Sequence, residues 1–177
     1  MNKKTFIQIL FYGSIWGILE ATVGHFLHLL PQFIAGTILF PIAGAILYKA
    51  YDATKSKTSL LFIGIVAAAI KSVNFLLPQY SIFKTINPMI FIILESLMFV
   101  VVASLIKREE PHLKYSALPI ASVSWRLLFV GYMLANGSTA IYVATFNGAF
   151  EFVVLSGLLS GVIASLFIFA LDKIHIK

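Results

Sequence analysis

Cysteine is absent from this 177-residue chain, and acidic residues are scarce, with seven Asp and Glu against 13 Lys and Arg. Without cysteine the protein forms no disulfides, binds no iron–sulfur cluster through thiolates and has no cysteine nucleophile. Only 11% of its residues are charged, whereas 60% are hydrophobic. A soluble domain of that composition has too few polar residues to cover its surface. The chain is therefore predicted to be an integral membrane protein.

Familiar catalytic and nucleotide-binding motifs are also missing. The sequence contains no P-loop, no His-Glu-x-x-His and no Gly-x-Ser-x-Gly, the patterns typical of ATP hydrolysis, zinc proteolysis and common serine hydrolases. We therefore expect a protein that is not an enzyme, has no cofactor and depends on separate subunits for any ATP-driven step. The net charge of +6 implies no nucleic-acid partner, because the basic residues lie in short loops between apolar runs.

Six apolar stretches are present, each close to the roughly 20 residues needed to cross a hydrocarbon core about 30 Å thick. The predicted helices are Thr5–Leu29, Gln32–Tyr51, Ser59–Leu77, Asn87–Ile106, Tyr115–Leu134 and Phe150–Leu171. The predicted fold class is all-α: a polytopic integral membrane protein whose six transmembrane helices form one domain over 1–177. The half-polar segment Ala135–Ala149 is expected to be a loop that folds back into the protein.

The basic residues predict the orientation in the bilayer. Ten of the 13 Lys and Arg lie at the N-terminus, after the second and fourth helices, or at the C-terminus, and only Lys84 lies on the opposite side. Because loops rich in Lys and Arg stay in the cytoplasm, both termini are predicted to be cytoplasmic, in a multi-pass protein of the plasma membrane. Two basic residues, Lys71 and Arg126, are left at membrane depth.

Polar residues within the predicted helices are the best indication of function. They lie at mid-depth or toward the outside: Glu20, His25, His28, Lys71, Asn74, Glu95, Arg126 and, at the outer boundary, Asn136. A charged side chain at the bilayer centre costs about 2.5–3.5 kcal/mol on insertion scales, so these residues should face inward and have partners. Their placement predicts a pocket that opens to the outside rather than a continuous pore.

Two interpretations explain how the free-energy cost of burying these charges is offset. They are internal ion pairs, or they bind a ligand, and the neighbouring Asn and His residues favour the ligand because charge balance does not require them. In a binding site, Arg126 or Lys71 would hold a carboxylate or phosphate. Glu20 or Glu95 would accept a hydrogen bond from a ligand amine, amide or ring nitrogen.

Alternative functions remain open at this point. Glu20, His25 and His28 can share one broad helix face, and carboxylate with imidazole suits Ni, Co, Zn or Fe, so the chain could capture a metal ion. A membrane scaffold or assembly protein, in which the charges tie helices together, is an alternative from another class. An intramembrane enzyme has no recognisable catalytic arrangement to support it.

Small residues recur at four-residue spacing on two of the predicted helices. The first helix carries Gly13, Gly17 and Ala21. The sixth carries a comparable row made of Ser156, Ser160 and Ala164. Rows of this kind let helix backbones approach closely in lipid. We favour packing within the chain for the sixth helix, whereas the row on the first helix could equally contact a partner subunit.

With six helices, both termini inside, a small-residue row on the first helix and polar groups toward the outside, the chain resembles the substrate-binding S components of energy-coupling factor (ECF) transporters. The resemblance implies capture of a vitamin-like molecule, a cofactor precursor or a metal ion. It also implies that Gly13, Gly17 and Ala21 contact a transmembrane coupling subunit, in a complex with two ATPase subunits.

Overall fold

The computed structural model describes residues 2–27, 34–78, 81–105, 111–138, 140 and 145–174. Every regular element in these ranges is helical. Six helices are long and apolar enough to cross a membrane, which confirms the all-α class and the predicted number of candidate spans. Such helices satisfy their own backbone hydrogen bonds, as a chain in lipid must.

The helices have bounds close to those expected. They are α1 (Lys3–Leu27), α2 (Ile34–Thr54), α3 (Lys57–Leu76), α4 (Phe83–Leu105), α5 (Pro111–Ala135) and α6 (Phe146–Lys173).

Five helices begin earlier than predicted, and α4, α5 and α6 each do so by four residues. Helix α4 begins at Phe83, so that Pro88 lies inside it rather than in its first turn. Helix α6 begins at Phe146, where the side-chain oxygen of Thr145 accepts a hydrogen bond from the Gly148 backbone N–H. Part of the expected loop over Ala135–Ala149 is therefore helical, because its end contains an N-cap.

Three segments depart from α-helical geometry. Helix α1 widens into a π-helix at Glu20–Gly24, and α6 does so at Glu151–Leu155. Helix α3 tightens into a 3₁₀-helix at Ser72–Leu76, and this segment contacts Glu20–Gly24. Each π-helical segment begins with a glutamate. Short π-helices interrupt α-helices most often at functional sites.

The six helices pack in a ring. Each helix contacts the next in the order α1, α3, α4, α5, α6, α2, and α2 closes the ring against α1. Large side chains fill the interior, among them Trp16, Phe40, Trp125 and Phe129, each at most 1% exposed. The outward faces of the helices carry exposed apolar side chains, which is compatible with helices that cross a membrane.

The small residues of α1 pack inside the chain. A Cβ added at Gly13 would lie 2.7 Å from the Val66 side chain, and one at Gly17 would lie 2.7 Å from Ile70, both on α3. Both glycines are buried, while Ala21 is half-buried. The row therefore joins α1 to α3, which corrects the expectation that Gly13 and Gly17 face a partner subunit.

The small residues of α6 pack against α5. A Cβ at Gly161 would lie 2.3 Å from the Cα of Pro119, and Ser160 shares a hydrogen bond of 2.8 Å with Ser122. Ala164, the last member of the row, is completely buried. This contact within the chain is the one favoured from the sequence.

Candidate binding site

Four charged residues from four helices are buried inside the ring. Glu20 of α1 and Glu95 of α4 are each 4% exposed, Lys71 of α3 is 1% exposed, and Arg126 of α5 is completely buried. All four were predicted from the sequence as site residues, and each of them points inward. Burial of two acids and two bases leaves no formal net charge in the group.

The ammonium of Lys71 bonds to the widened turn of α1. Its Nζ donates to the backbone oxygen of Glu20, not to the carboxylate of that residue. The amide of Asn74, oriented so that both of its polar atoms are satisfied, donates to the Ala21 backbone oxygen and accepts from Lys71 Nζ, each at 3.2 Å. The same amide lies 3.4 Å from Nδ1 of His25. Side chains of α3 thus bond to two consecutive backbone carbonyls of the π-helical segment.

The guanidinium of Arg126 also bonds mainly to backbone. Nη2 donates to the Gly36 backbone oxygen on α2 at 3.1 Å, and Nη1 donates to the backbone oxygen of Ser122 at 3.0 Å and to its hydroxyl. Its central carbon lies 4.4 Å from the ring centre of Trp125. The rings of Phe40 and Phe152 are 5.8 and 5.7 Å away. A planar cation held between aromatic rings keeps its orientation.

The two carboxylates have few partners. Glu20 is 3.4 Å from Nε1 of Trp16, and its other oxygen would lie 2.9 Å from a Cβ on Gly24, so the missing side chain of that glycine makes room for it. Glu95 is 4% exposed. Glu95 interacts electrostatically with both Glu20 and Arg126, and Glu20 interacts with Lys71.

No described cation, however, makes an ion pair within 4.0 Å of either carboxylate. The cations Lys71 and Arg126 instead donate hydrogen bonds to backbone oxygens.

Three further buried polar atoms lack a hydrogen bond within the described part of the chain. They are Oδ1 of Asn87, Nε1 of Trp125 and Nε of Arg126. Buried polar atoms are nearly always paired in folded proteins, with protein groups, water or a ligand. The tryptophans were not predicted as site residues. Their positions in the sequence could have indicated that they lie near the site, since Trp125 directly precedes Arg126 and Trp16 lies one helical turn before Glu20.

One predicted site residue, Asn136, does not join this group. Asn136 is exposed, and its side-chain amide donates to the Tyr132 backbone oxygen at 2.7 Å, so it caps the end of its own helix. His28 lies outside the described residues. His25 is half-buried and contacts Asn74 rather than Glu20. Among the described residues no three His, Cys, Asp or Glu side chains lie together in a group that could hold a metal ion.

Comparisons with models of known protein families, with curated proteins and with solved structures found no match to this chain.

Proposed function

We propose that this chain is a membrane-embedded substrate-capture subunit of an ATP-driven, ECF-type importer. It binds a small vitamin-like molecule in a pocket that opens to the outside, and both of its termini lie in the cytoplasm of a cell whose plasma membrane it spans. Six helices of sufficient length and apolarity support the membrane location. The charge distribution of the loops supports the orientation.

One observation carries the proposal that the cluster binds a ligand. Lys71 and Arg126 donate to backbone carbonyls, while the carboxylates of Glu20 and Glu95 have no ion pair to a described residue. If the four charges served only to tie helices together, direct pairs between cations and carboxylates would be expected, since a close pair offsets the cost of burial best. The absence of such pairs at Glu20 and Glu95 among the described residues supports a role for these carboxylates in binding a ligand.

An importer of this kind needs partners, because the sequence contains no nucleotide-binding motif. A transmembrane coupling subunit and two ATPase subunits would supply the energy. Since Gly13 and Gly17 are packed against α3, the coupling subunit would contact other residues of the lipid-facing surface.

The experiment is gentle isolation of the tagged protein from its native membrane, with identification of whatever copurifies. Recovery of a coupling subunit with two ATPase subunits supports the importer. Their repeated absence from preparations that preserve other transporter complexes would contradict it. In that case a scaffold role becomes the better explanation.

Small molecules that copurify test the site. We expect a ligand identified by mass spectrometry to be lost from Glu95→Gln protein, because the carboxylate is buried in the cluster. Glu151→Gln is the matched control, since Glu151 is exposed although it also begins a π-helical segment. Equal retention of the ligand by both folded variants would rule out the assigned site.

A further inference from the structure

A chain of hydrogen bonds joins the buried guanidinium of Arg126 to helix α6. Nη1 of Arg126 donates to the hydroxyl of Ser122, which lies 2.8 Å from the hydroxyl of Ser160 on α6. The Ser160 hydroxyl in turn donates to the Ser156 backbone oxygen at 2.8 Å. Ser156 is the first residue after the π-helical segment Glu151–Leu155. The chain therefore connects Arg126 with the widened turn of α6.

The direction of this chain follows from its two ends. Arginine can only donate, and a backbone oxygen can only accept. Ser160 gives its single hydroxyl proton to its own helix, where the oxygens of Ser156 and Gly157 lie at 2.8 and 3.3 Å. It can therefore offer only lone pairs to Ser122, so the Ser122 proton points to Ser160. The lone pairs of Ser122 are then left for Arg126, and bonds that run in one direction strengthen one another.

The hydroxyl of Ser122 is bonded differently from other hydroxyls of these helices. A serine within a helix commonly donates to a carbonyl of the preceding turn, as Ser104 and Ser165 do. Among the described residues, the Ser122 hydroxyl bonds only to the side chains of Ser160 and Arg126. Without the acceptor on Ser160, we expect this hydroxyl to turn to its own backbone and its oxygen to move away from Nη1 of Arg126.

The bond at Nη1 also sets the direction of the rest of the guanidinium. Nη1 donates to the Ser122 backbone oxygen at 3.0 Å, and Nη2 donates to the Gly36 backbone oxygen at 3.1 Å. Nε is the guanidinium nitrogen that has no hydrogen-bond partner in the described part of the chain. Because a guanidinium is planar and rigid, fixing Nη1 fixes where the Nε–H group points.

We infer that Ser160 is a positioning residue for Arg126. Acting through the Ser122 hydroxyl, it holds Nη1 in place and so fixes the direction of the unpaired Nε–H group. A consequence for ligand binding rests on the proposed function, in which Arg126 belongs to the binding site. The orientation of Arg126 can be measured without any ligand.

The scarcity of arginine makes that measurement specific. The chain contains two arginines, Arg108 and Arg126, so Arg108→Lys leaves a single guanidinium. In the full chain with this substitution, in detergent micelles and with isotope-labelled arginine, NMR measures how fast the Nη groups rotate about their bonds to Cζ. We expect Ser160→Ala to raise this rate about 10-fold or more, because a hydrogen bond to a charged group is lost. Ser165→Ala is the matched control on the same helix, since the Ser165 hydroxyl donates to its own backbone, and it should leave the rate unchanged.

A double variant separates positioning through Ser122 from a general loosening of α6. Ser122→Ala should raise the rotation rate at least as much as Ser160→Ala does. Adding Ser160→Ala to Ser122→Ala should then cause no further change, because the two residues act in series and their effects are not additive.

Two results would overturn the inference. One is a rotation rate that Ser160→Ala changes no more than Ser165→Ala does. The other is a full further effect of Ser160→Ala in the Ser122→Ala protein, because Ser160 would then act by another route. If Arg126 responds as expected while no ATPase subunits are recovered, Ser160 positions Arg126 and the importer is wrong. If those subunits are recovered while Arg126 does not respond, the importer stands and Ser160 has no positioning role.

Discussion

Replacing Lys71 by methionine tests the contact between α1 and α3 without any knowledge of the ligand. Methionine fills similar volume but supplies no donor. The backbone oxygen of Glu20 and the side-chain oxygen of Asn74 would each lose a hydrogen bond. The buried Glu20 carboxylate would also lose the cation with which it interacts. We expect a large loss of stability because three consequences arise from one substitution.

The magnitude follows from the contacts. Interhelical hydrogen bonds in membrane proteins contribute about 0.6 kcal/mol on average and up to about 1.7 kcal/mol, so the two bonds of Lys71 contribute about 1–3 kcal/mol together. Breaking a buried charge interaction from one side costs about 3–5 kcal/mol in soluble proteins. We take that figure as an upper bound here, because the ammonium lies on the backbone and not on the carboxylate. The expected loss is about 3 kcal/mol in the free energy of unfolding.

The assay is unfolding of the purified protein in mixed micelles with increasing dodecyl sulfate, followed by circular dichroism. Lys57→Met is the matched control, since Lys57 lies exposed on the same helix, and it should change the stability by less than about 0.5 kcal/mol. Adding Glu20→Gln to Lys71→Met should recover the electrostatic part of the loss but not the hydrogen bonds. Equal unfolding midpoints for Lys71→Met and Lys57→Met would refute a stabilising role of Lys71 between α1 and α3.

Further predictions concern the glycines. Gly161→Ala should destabilise the protein by about 1–3 kcal/mol, because a Cβ there would lie 2.3 Å from a backbone atom of α5 that cannot move alone. Gly131→Ala, which would meet nothing within 4 Å, should be neutral or stabilising in the same unfolding assay; a larger loss for Gly131→Ala would count against the packing. Gly24→Ala should preserve the fold but displace the Glu20 carboxylate, since only that flexible group lies within 3 Å of the new Cβ. The tryptophan emission should shift as the contact with Trp16 is lost, and an unchanged spectrum would argue against it.

Much of the fold could be predicted from the sequence, because a membrane-spanning helix requires a long apolar stretch that is easy to recognise. Twenty apolar residues between polar breaks leave little choice but a helix, and the structure has six such helices. The residues at which a helix begins and ends are harder to predict. Proline is favoured in a first turn, so Pro88 led to a predicted start of α4 at Asn87, whereas the helix begins at Phe83.

The members of the site were easier to predict than their partners. Charges within a span are rare, so Glu20, Lys71, Glu95 and Arg126 stood out, and all four are buried. Their bonds to backbone carbonyls were not predictable, because a carbonyl is present at every residue and only helix geometry decides which one is within reach. Asn136 was selected for its polarity alone, and its position at a helix end makes it a cap instead.

The direction of the small-residue row on α1 was also beyond sequence reasoning. Gly13 and Gly17 permit close approach by any helix, and nothing in their spacing distinguishes a helix of the same chain from that of a partner. The structure supplies the answer through the branched side chains of Val66 and Ile70, which lie opposite the two glycines.

The π-helical segment Glu20–Gly24 has a consequence for changes in chain length. A π turn holds one residue more than an α turn, and each residue rotates a helix by about 100°. Deleting one residue within this segment would convert it to a regular α turn, which covers nearly the same rotation with one residue fewer, and His25 would still face Asn74. Deleting one residue from the α-helical part before it would instead rotate His25 away by that angle. The widened turn is thus the place in α1 where the chain tolerates the loss of a residue without a change in the orientation of its outer end.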